Sequence, residues 1–303
     1  MEHRTAAALK SPWAAWCRLF GLVAMSVAST ITVAAPADGL ASVAADAAPL
    51  DASLVKTGLY LITGGGANSL LRFSANGLIL VDTKSPGSYR ALKSQVRRIA
   101  KISDMAVRVV VVTDHHAAHT GNAEDLMAAG ATLIAQANAA HRLRAMHTAA
   151  SPLRVVTYDH DYTLQLGGVE ARVLHPGRAQ SDDAAVVLFA DLRVVAVGDL
   201  YSSGAPQPDF AGGGSLVEWG SALEAVLKLE FDLAVPSSGP NLSRAQLQAF
   251  KARIDAFVAR ASKLVRSGVA KEDFVARLAV EDEEWRLSTT QIDGFYAELL
   301  RQN

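Results

Sequence analysis

The sequence predicts an α/β fold, a four-layer sandwich in which two β-sheets pack face to face with helices on both outer faces. Three observations predict it. Short apolar runs separated by turn residues form two β-meanders, and each meander gives way to a helical segment. The run Val109-Val110-Val111-Val112 is continuously β-branched, as expected of a strand buried on both faces. With 303 residues, half of them apolar, the chain can bury a sizeable core.

The first meander comprises runs at 59–63, 69–73 and 78–81, divided by Gly64-Gly65-Gly66 and by Asn76-Gly77. Asn-Gly marks a hairpin because both residues tolerate positive φ. Residues 88–102 place Leu92, Val96 and Ile99 on one helical face. The strand at 109–112 runs into a polar loop at 113–121, then a helix at 123–129, a strand at 131–135 and a helix at 138–147. The second meander takes strands at 154–158, 162–166, 170–174, 185–189 and 193–197, with Gly167-Gly168 as a turn. A helix at 216–229 and a short strand at 233–236 follow. Beyond 243 the chain turns helical, with Leu247, Phe250, Ile254, Phe257 and Leu264 near one face of 244–266 and shorter helices at 271–278 and 290–300. This extension, 243–303, either packs on the sandwich or pairs subunits into a homo-oligomer.

The ends and the charge narrow the function. Arg4, Lys10 and Arg18 precede an uncharged stretch at 19–37 with small residues at Val33 and Ala35, the layout of a cleaved signal peptide spanning 1–35. Secretion or a periplasmic location follows, without a membrane span after cleavage; an uncleaved anchor is the alternative. Residues 36–52 read as a linker and 53–242 as the main domain. Lys and Arg number 29 against 30 Asp and Glu, with no basic block, so nucleic acid is excluded as a partner and a small molecule is expected. Cys17 is the single cysteine. Any metal must therefore be held by His, Asp or Glu.

The chemistry concentrates in Thr113-Asp114-His115-His116-Ala117-Ala118-His119-Thr120-Gly121-Asn122, where three of eight histidines follow a buried strand. Ligand sites of α/β folds lie at such strand ends. Imidazoles and a carboxylate at this spacing can converge on a cation such as zinc or iron.

This stretch resembles the T-H-x-H-x-D-H-x-G loop of the metallo-β-lactamase superfamily. Four further segments resemble the family in the same order: 65–69 with 80–83, 175–183, Val197-Gly198-Asp199-Leu200, and Pro236-Ser237-Ser238-Gly239-Pro240. The resemblance implies the αββα metallo-β-lactamase fold and a hydrolase that activates water on metal. It also exposes losses. Asp114 replaces the first histidine, Ala118 the aspartate, Gln180 the third histidine and Ser238 the last, while His116, His119 and the bridging Asp199 remain.

The implied first metal site keeps Asp114, His116 and Asp199, with a weak amide oxygen from Gln180. The implied second site keeps only His119 and Asp199. One divalent metal, zinc or iron, on Asp114, His116, His119 and Asp199 is therefore expected, with Asp114, His119 and Asp199 as the catalytic residues and His119 as ligand or proton shuttle. If no metal binds, one of the paired carboxylates takes up a proton or pairs with His116 or His119. Two functions stay open: a mononuclear hydrolase of a small ester, amide, lactone or lactam, and a non-catalytic exported relative that binds a ligand or partner. His115 is expected to point away from the ligands, and His141, His147 and His160 to be solvated. His175 is a weak substitute ligand, Gly212-Gly213-Gly214 part of a flap, Trp219 a packing residue, and Asp82 a structural support for the loops beneath the site.

Overall fold

The computed structural model describes residues 49–101, 105–146, 154–279 and 285–302. The expected signal peptide and residues 36–48 of the expected linker lie outside them, as do Ile102 and His147. Seven strands form the first sheet in chain order: β1 (Asp51–Lys56), β2 (Leu59–Thr63), β3 (Ser69–Ser74), β4 (Gly77–Val81), β5 (Val107–Val111), β6 (Thr132–Gln136) and β7 (Val155–Tyr158). The first four are an antiparallel meander. From β4 to β7 the pairing is parallel, because each connection passes through helix: α1 (Tyr89–Ala100), then α2 (Ala117–Thr120) with α3 (Ala123–Ala128), then α4 (Ala137–Met146).

The second sheet holds β8 (Asp161–Leu166), β9 (Val169–Leu174), β10 (Val186–Phe189), β11 (Val194–Gly198), β12 (Leu233–Pro236) and β13 (Leu242–Ser243), again in chain order. Only β11 and β12 run parallel in it, joined by α5 (Leu216–Leu227). Two elements differ from expectation. Residues 155–158 close the first sheet rather than opening the second, since the α4 crossover returns the chain parallel to β6. Strand β1 occupies the end of the expected linker; it is a largely exposed edge strand without apolar alternation, so its sequence carries no strand signal.

Three apolar layers hold these parts together. Leu70, Val81 and Val111 of the first sheet meet Val173, Val187 and Phe189 of the second between the sheets. Leu92, Val96 and Leu126 cover the outer face of the first sheet. Trp219, Leu223, Phe250 and Ile254 cover the second, and the helices α6 (Arg244–Arg266), α7 (Lys271–Ala279) and α8 (Thr289–Arg301) continue that layer. Phe257 of α6 stacks on Phe295 of α8 at 5.8 Å between ring centroids. Capping boxes at Ser243/Gln246 and Ser288/Gln291 start α6 and α8 by satisfying free N–H groups of the first turn. The result is the predicted αββα sandwich with a helical extension against one outer layer.

Candidate metal centre

Strands β4, β5, β11 and β12 end on one edge of the sandwich, delivering Asp82, Asp114, Asp199 and Ser237 there. Gly198 makes the last turn possible. Its φ is +51°, and a Cβ on it would lie 2.7 Å from Thr113 Oγ1, so only glycine lets Asp199 come this close to the β5 loop. Asn68 ties the sheets beneath the site through Pro236 O at 2.9 Å and its backbone N–H to Ser237 O at 2.6 Å. Lys84 is fully buried, with Nζ donating to Ile62 O and Ala67 O at 2.6 Å each. Burial lowers its pKa to about 8, against the opposing charge of Asp82. Asp82 and Lys84 are both in the left-handed region, φ +60° and +68°, a conformation that persists because these bonds over-determine it.

Three side chains converge on the centre, and each has one atom anchored and one atom offered. His119 Nδ1 lies 2.9 Å from both Asp82 Oδ2 and Thr113 Oγ1, leaving Nε2 to face inward. Asp82 also accepts from Thr113 N and Oγ1 at 2.8 Å. It therefore supports the loop, as expected, and orients His119, a role the sequence reading did not assign. Asp114 Oδ1 accepts from His116 N at 2.7 Å and lies 3.2 Å from His116 Nδ1, which leaves Oδ2. Asp199 Oδ1 accepts from the Ser237 hydroxyl, leaving its own Oδ2. The offered His119 Nε2 is 3.4 Å from Asp114 Oδ2 and 3.5 Å from Asp199 Oδ2.

Those separations are long for charged hydrogen bonds. They suit a shared ion: bonds of about 2.1 Å in tetrahedral arrangement set ligand atoms about 3.4 Å apart. The donor set therefore fits a divalent cation, with anchoring partners of the kind that orient metal ligands. His119 and Asp114 are buried, whereas the Asp199 side chain is 31% exposed and forms the open side. Burial, aided by the Asp199 charge, pushes the Asp114 carboxyl above the usual carboxylate range against the pull of His119 and His116. Burial acts to lower the His119 pKa, but the charges of Asp114 and Asp82 overcome it and hold it well above normal. Asp199 moves the other way: burial would raise it, yet its bonds and charge interaction with His119, with Ser237 in support, hold it low. Positive charge is what this cluster is built to receive.

His116, expected among the ligands, falls into a second group with His115 and Asp209. Its Nε2 lies 3.1 Å from Asp209 Oδ2, and its hydrogen bond to Asp114 is the main cause of a pKa raised to about 9. His115 was expected to point away from the ligands; its Nδ1 turns onto Asp183 at 2.7 Å, but its ring lies 4.1 Å from that of His116 and joins it in the second group. Asp209 was missed. It sits on the flap between β11 and α5, where the one available cue is an acid between Pro208 and the glycines at 212–214. His175 turns onto Ala184 O at 2.7 Å and does not reach inward. His141 and His160 are exposed, Ser238 is exposed, and Trp219 is buried with Nε1 donating to Leu200 O at 2.9 Å.

The family model of the Metallo-beta-lactamase superfamily matches residues 62–238. The chain belongs to that superfamily. This metallo-β-lactamase relative is 26% identical over 260 residues to the 2,4-dinitroanisole O-demethylase subunit alpha of Nocardioides sp. (strain JS1661), covering 80% of this chain and 75% of that one. Its structure is similar to the metallo-β-lactamase from Pontibacter korlensis, with a TM-score of 0.60 at 19% identity over 68% of this chain and 99% of that one. It is also similar to FIM-1 of Pseudomonas aeruginosa in its mono-zinc form, TM-score 0.57 at 21% identity, over 68% and 94% of the two chains. At these identities the structural likeness carries the fold alone. The superfamily usually binds metal, and among the described residues the two His/Asp groups could hold one.

Proposed function

We propose that the chain is an exported hydrolase of small molecules that works with one divalent ion, zinc or iron, on Asp114, His119 and Asp199. One observation carries the reading: three offered atoms, each fixed by an anchored neighbour, at the spacing of ligands around one ion. An ion there supplies Lewis acidity, which makes water nucleophilic near neutral pH and polarises a carbonyl. The protein residues do the positioning. Asp82 holds the His119 ring, His116 fixes Asp114, and Ser237 fixes Asp199. Substrate enters on the Asp199 side, since Asp114 and His119 are closed off from solvent.

Small esters, amides, lactones and lactams are the expected substrates, and the O-demethylase relative adds electron-poor aryl methyl ethers to the class. Export rests on the charge pattern of residues 1–37. Among the described residues no helix is long and apolar enough to cross a membrane. A second reading, a binding protein without turnover, is favoured by Ala118 and the exposed Ser238 at two family ligand positions.

Chelated protein, then protein restored with one equivalent of zinc or ferrous iron, assayed on a panel of these substrates, separates the two. The hydrolase reading expects turnover that appears with metal and falls at least about 100-fold in Asp199→Ala. No turnover on any substrate with the ion bound favours the binding protein, and turnover indifferent to metal and to Asp199→Ala contradicts the metal-dependent reading.

A further inference from the structure

We propose a second divalent-metal site on the chain, formed by His115 Nε2, His116 Nε2 and Asp209 Oδ2, beside the first and with its own three ligands. Two of its three ligands, His115 and Asp209, occupy positions to which the superfamily pattern gives no metal role. The three ligand atoms lie within 4.8 Å of one another. Asp209 Oδ2 is 3.1 Å from His116 Nε2 and 3.8 Å from His115 Nε2, bracketing the spacing of about 3.4 Å set by a tetrahedral ion. The two imidazole rings sit 4.1 Å apart and tilted by 35°.

The arrangement repeats the design of the first group. His115 Nδ1 is anchored on Asp183 Oδ2 at 2.7 Å, and His116 Nδ1 lies 3.2 Å from Asp114 Oδ1. Asp209 Oδ1 accepts from Gly212 N at 3.0 Å, which frees Oδ2. Each ligand again has one atom fixed and one atom presented, and a carboxylate behind a ligating imidazole sets both its tautomer and its basicity. Asp183 is itself held by Arg142 at 3.0 Å and by Ser181 at 2.5 Å, so the support behind His115 does not depend on the histidine.

Gln180 stands beside the group as a further oxygen donor. Its Oε1 is buried without a hydrogen-bond partner, while its Nε2 stands 3.4 Å from His116 Nε2. The amide nitrogen can only donate there. The same ring nitrogen would have to accept from Gln180 and donate to Asp209, which one proton position does not allow. A half-turn of the amide removes the conflict and turns the orphaned Oε1 toward His116 Nε2, the side on which an ion held by the three ligands would sit. Two imidazoles, one carboxylate and an amide oxygen suit a borderline cation, zinc or ferrous iron. The side chains of His115, His116 and Asp209 are 15%, 29% and 28% exposed, leaving one face to water or a ligand. Asp114 links the groups, with Oδ1 on His116 and Oδ2 toward His119.

Equilibrium dialysis of the full chain against micromolar Zn2+, followed by elemental analysis, tests the site without any assay of activity. The wild type is expected to retain two equivalents. His115→Gln and Asp209→Asn should each retain one, and His119→Ala should retain the other. Asparagine keeps the oxygen that caps Gly212, and near-ultraviolet circular dichroism of each variant checks that the fold persists. Wild type and both flap-group variants holding the same amount of zinc overturns the second site. Zinc lost from His115→Gln and Asp209→Asn but retained at wild-type level by His119→Ala and Asp199→Ala supports it and sinks the first site instead.

Discussion

The two His/Asp groups share a design and differ in what holds them. Asp114 and Asp199 follow the ends of core strands and His119 sits in the short α2, with Asp82 at the end of the neighbouring strand behind the imidazole. His115 and His116 come from the same loop, but their third member, Asp209, rides on the flap, and the flap is tied down by the C-terminal extension. Glu298 of α8 accepts from the Ser215 hydroxyl and, at 3.1 Å, from Leu216 N; Gln291 Nε2 donates to Gln207 Oε1 at 2.8 Å. Gly294 leaves room for the Phe210 ring, where any Cβ would collide. One group is thus built into the sandwich, while the other depends on a flap braced by α8 residues 83 and 84 positions further along the chain. The helical extension acts as a brace for the flap as well as a cover for the second sheet.

Two substitutions break this contrast. Asp82→Ala has the largest expected effect, because it strips acceptors from Thr113 N, Thr113 Oγ1 and His119 Nδ1 in a buried place. Urea unfolding should record a loss of about 3 kcal/mol, together with loss of metal from the first group and retention by the flap group. Glu298→Gln comes next. It weakens the anchor of Ser215 and Leu216, and should cost about 1 kcal/mol and lower zinc affinity of the flap group about 10-fold in competitive titration, leaving the first group unmoved. Equal losses at both groups in either variant would erase the distinction.

The smallest effect is a pH dependence. His116 titrates near 9 when folded against 6.5 as an ordinary imidazole, so its bonds favour the charged form in the folded state. The stability it adds is fully present below pH 6.5 and is lost as pH rises through about 9. In chelator, the gap in unfolding midpoint between wild type and His116→Gln should therefore close across that window. A gap that widens with pH would reverse the assigned direction.

Much of this was legible in the sequence, and the reasons for the rest are physical. Asn76-Gly77, the β-branched run before Thr113 and the alternating meanders encode local geometry, so the strands of the sandwich follow from local signals, while the convergence of Asp114, His119 and Asp199 was legible through the family resemblance. The orienting role of Asp82 depends on β4 lying parallel and adjacent to β5, a pairing the sequence does not write down. His115 and His116 are consecutive, and the turn after β5 decides which nitrogen faces which acid. Asp209 is brought in by its backbone N–H on Gln180 O at 2.7 Å and by a flap braced on α8, contacts between distant segments without a local motif.

X-ray absorption at the zinc edge of Asp209→Asn loaded with one equivalent of zinc tests the centre most directly. The account predicts an all nitrogen and oxygen shell at about 2.0–2.1 Å with the outer-shell scattering of a single imidazole. A shell with two or more imidazoles, or a variant that fails to hold zinc at all, would contradict it.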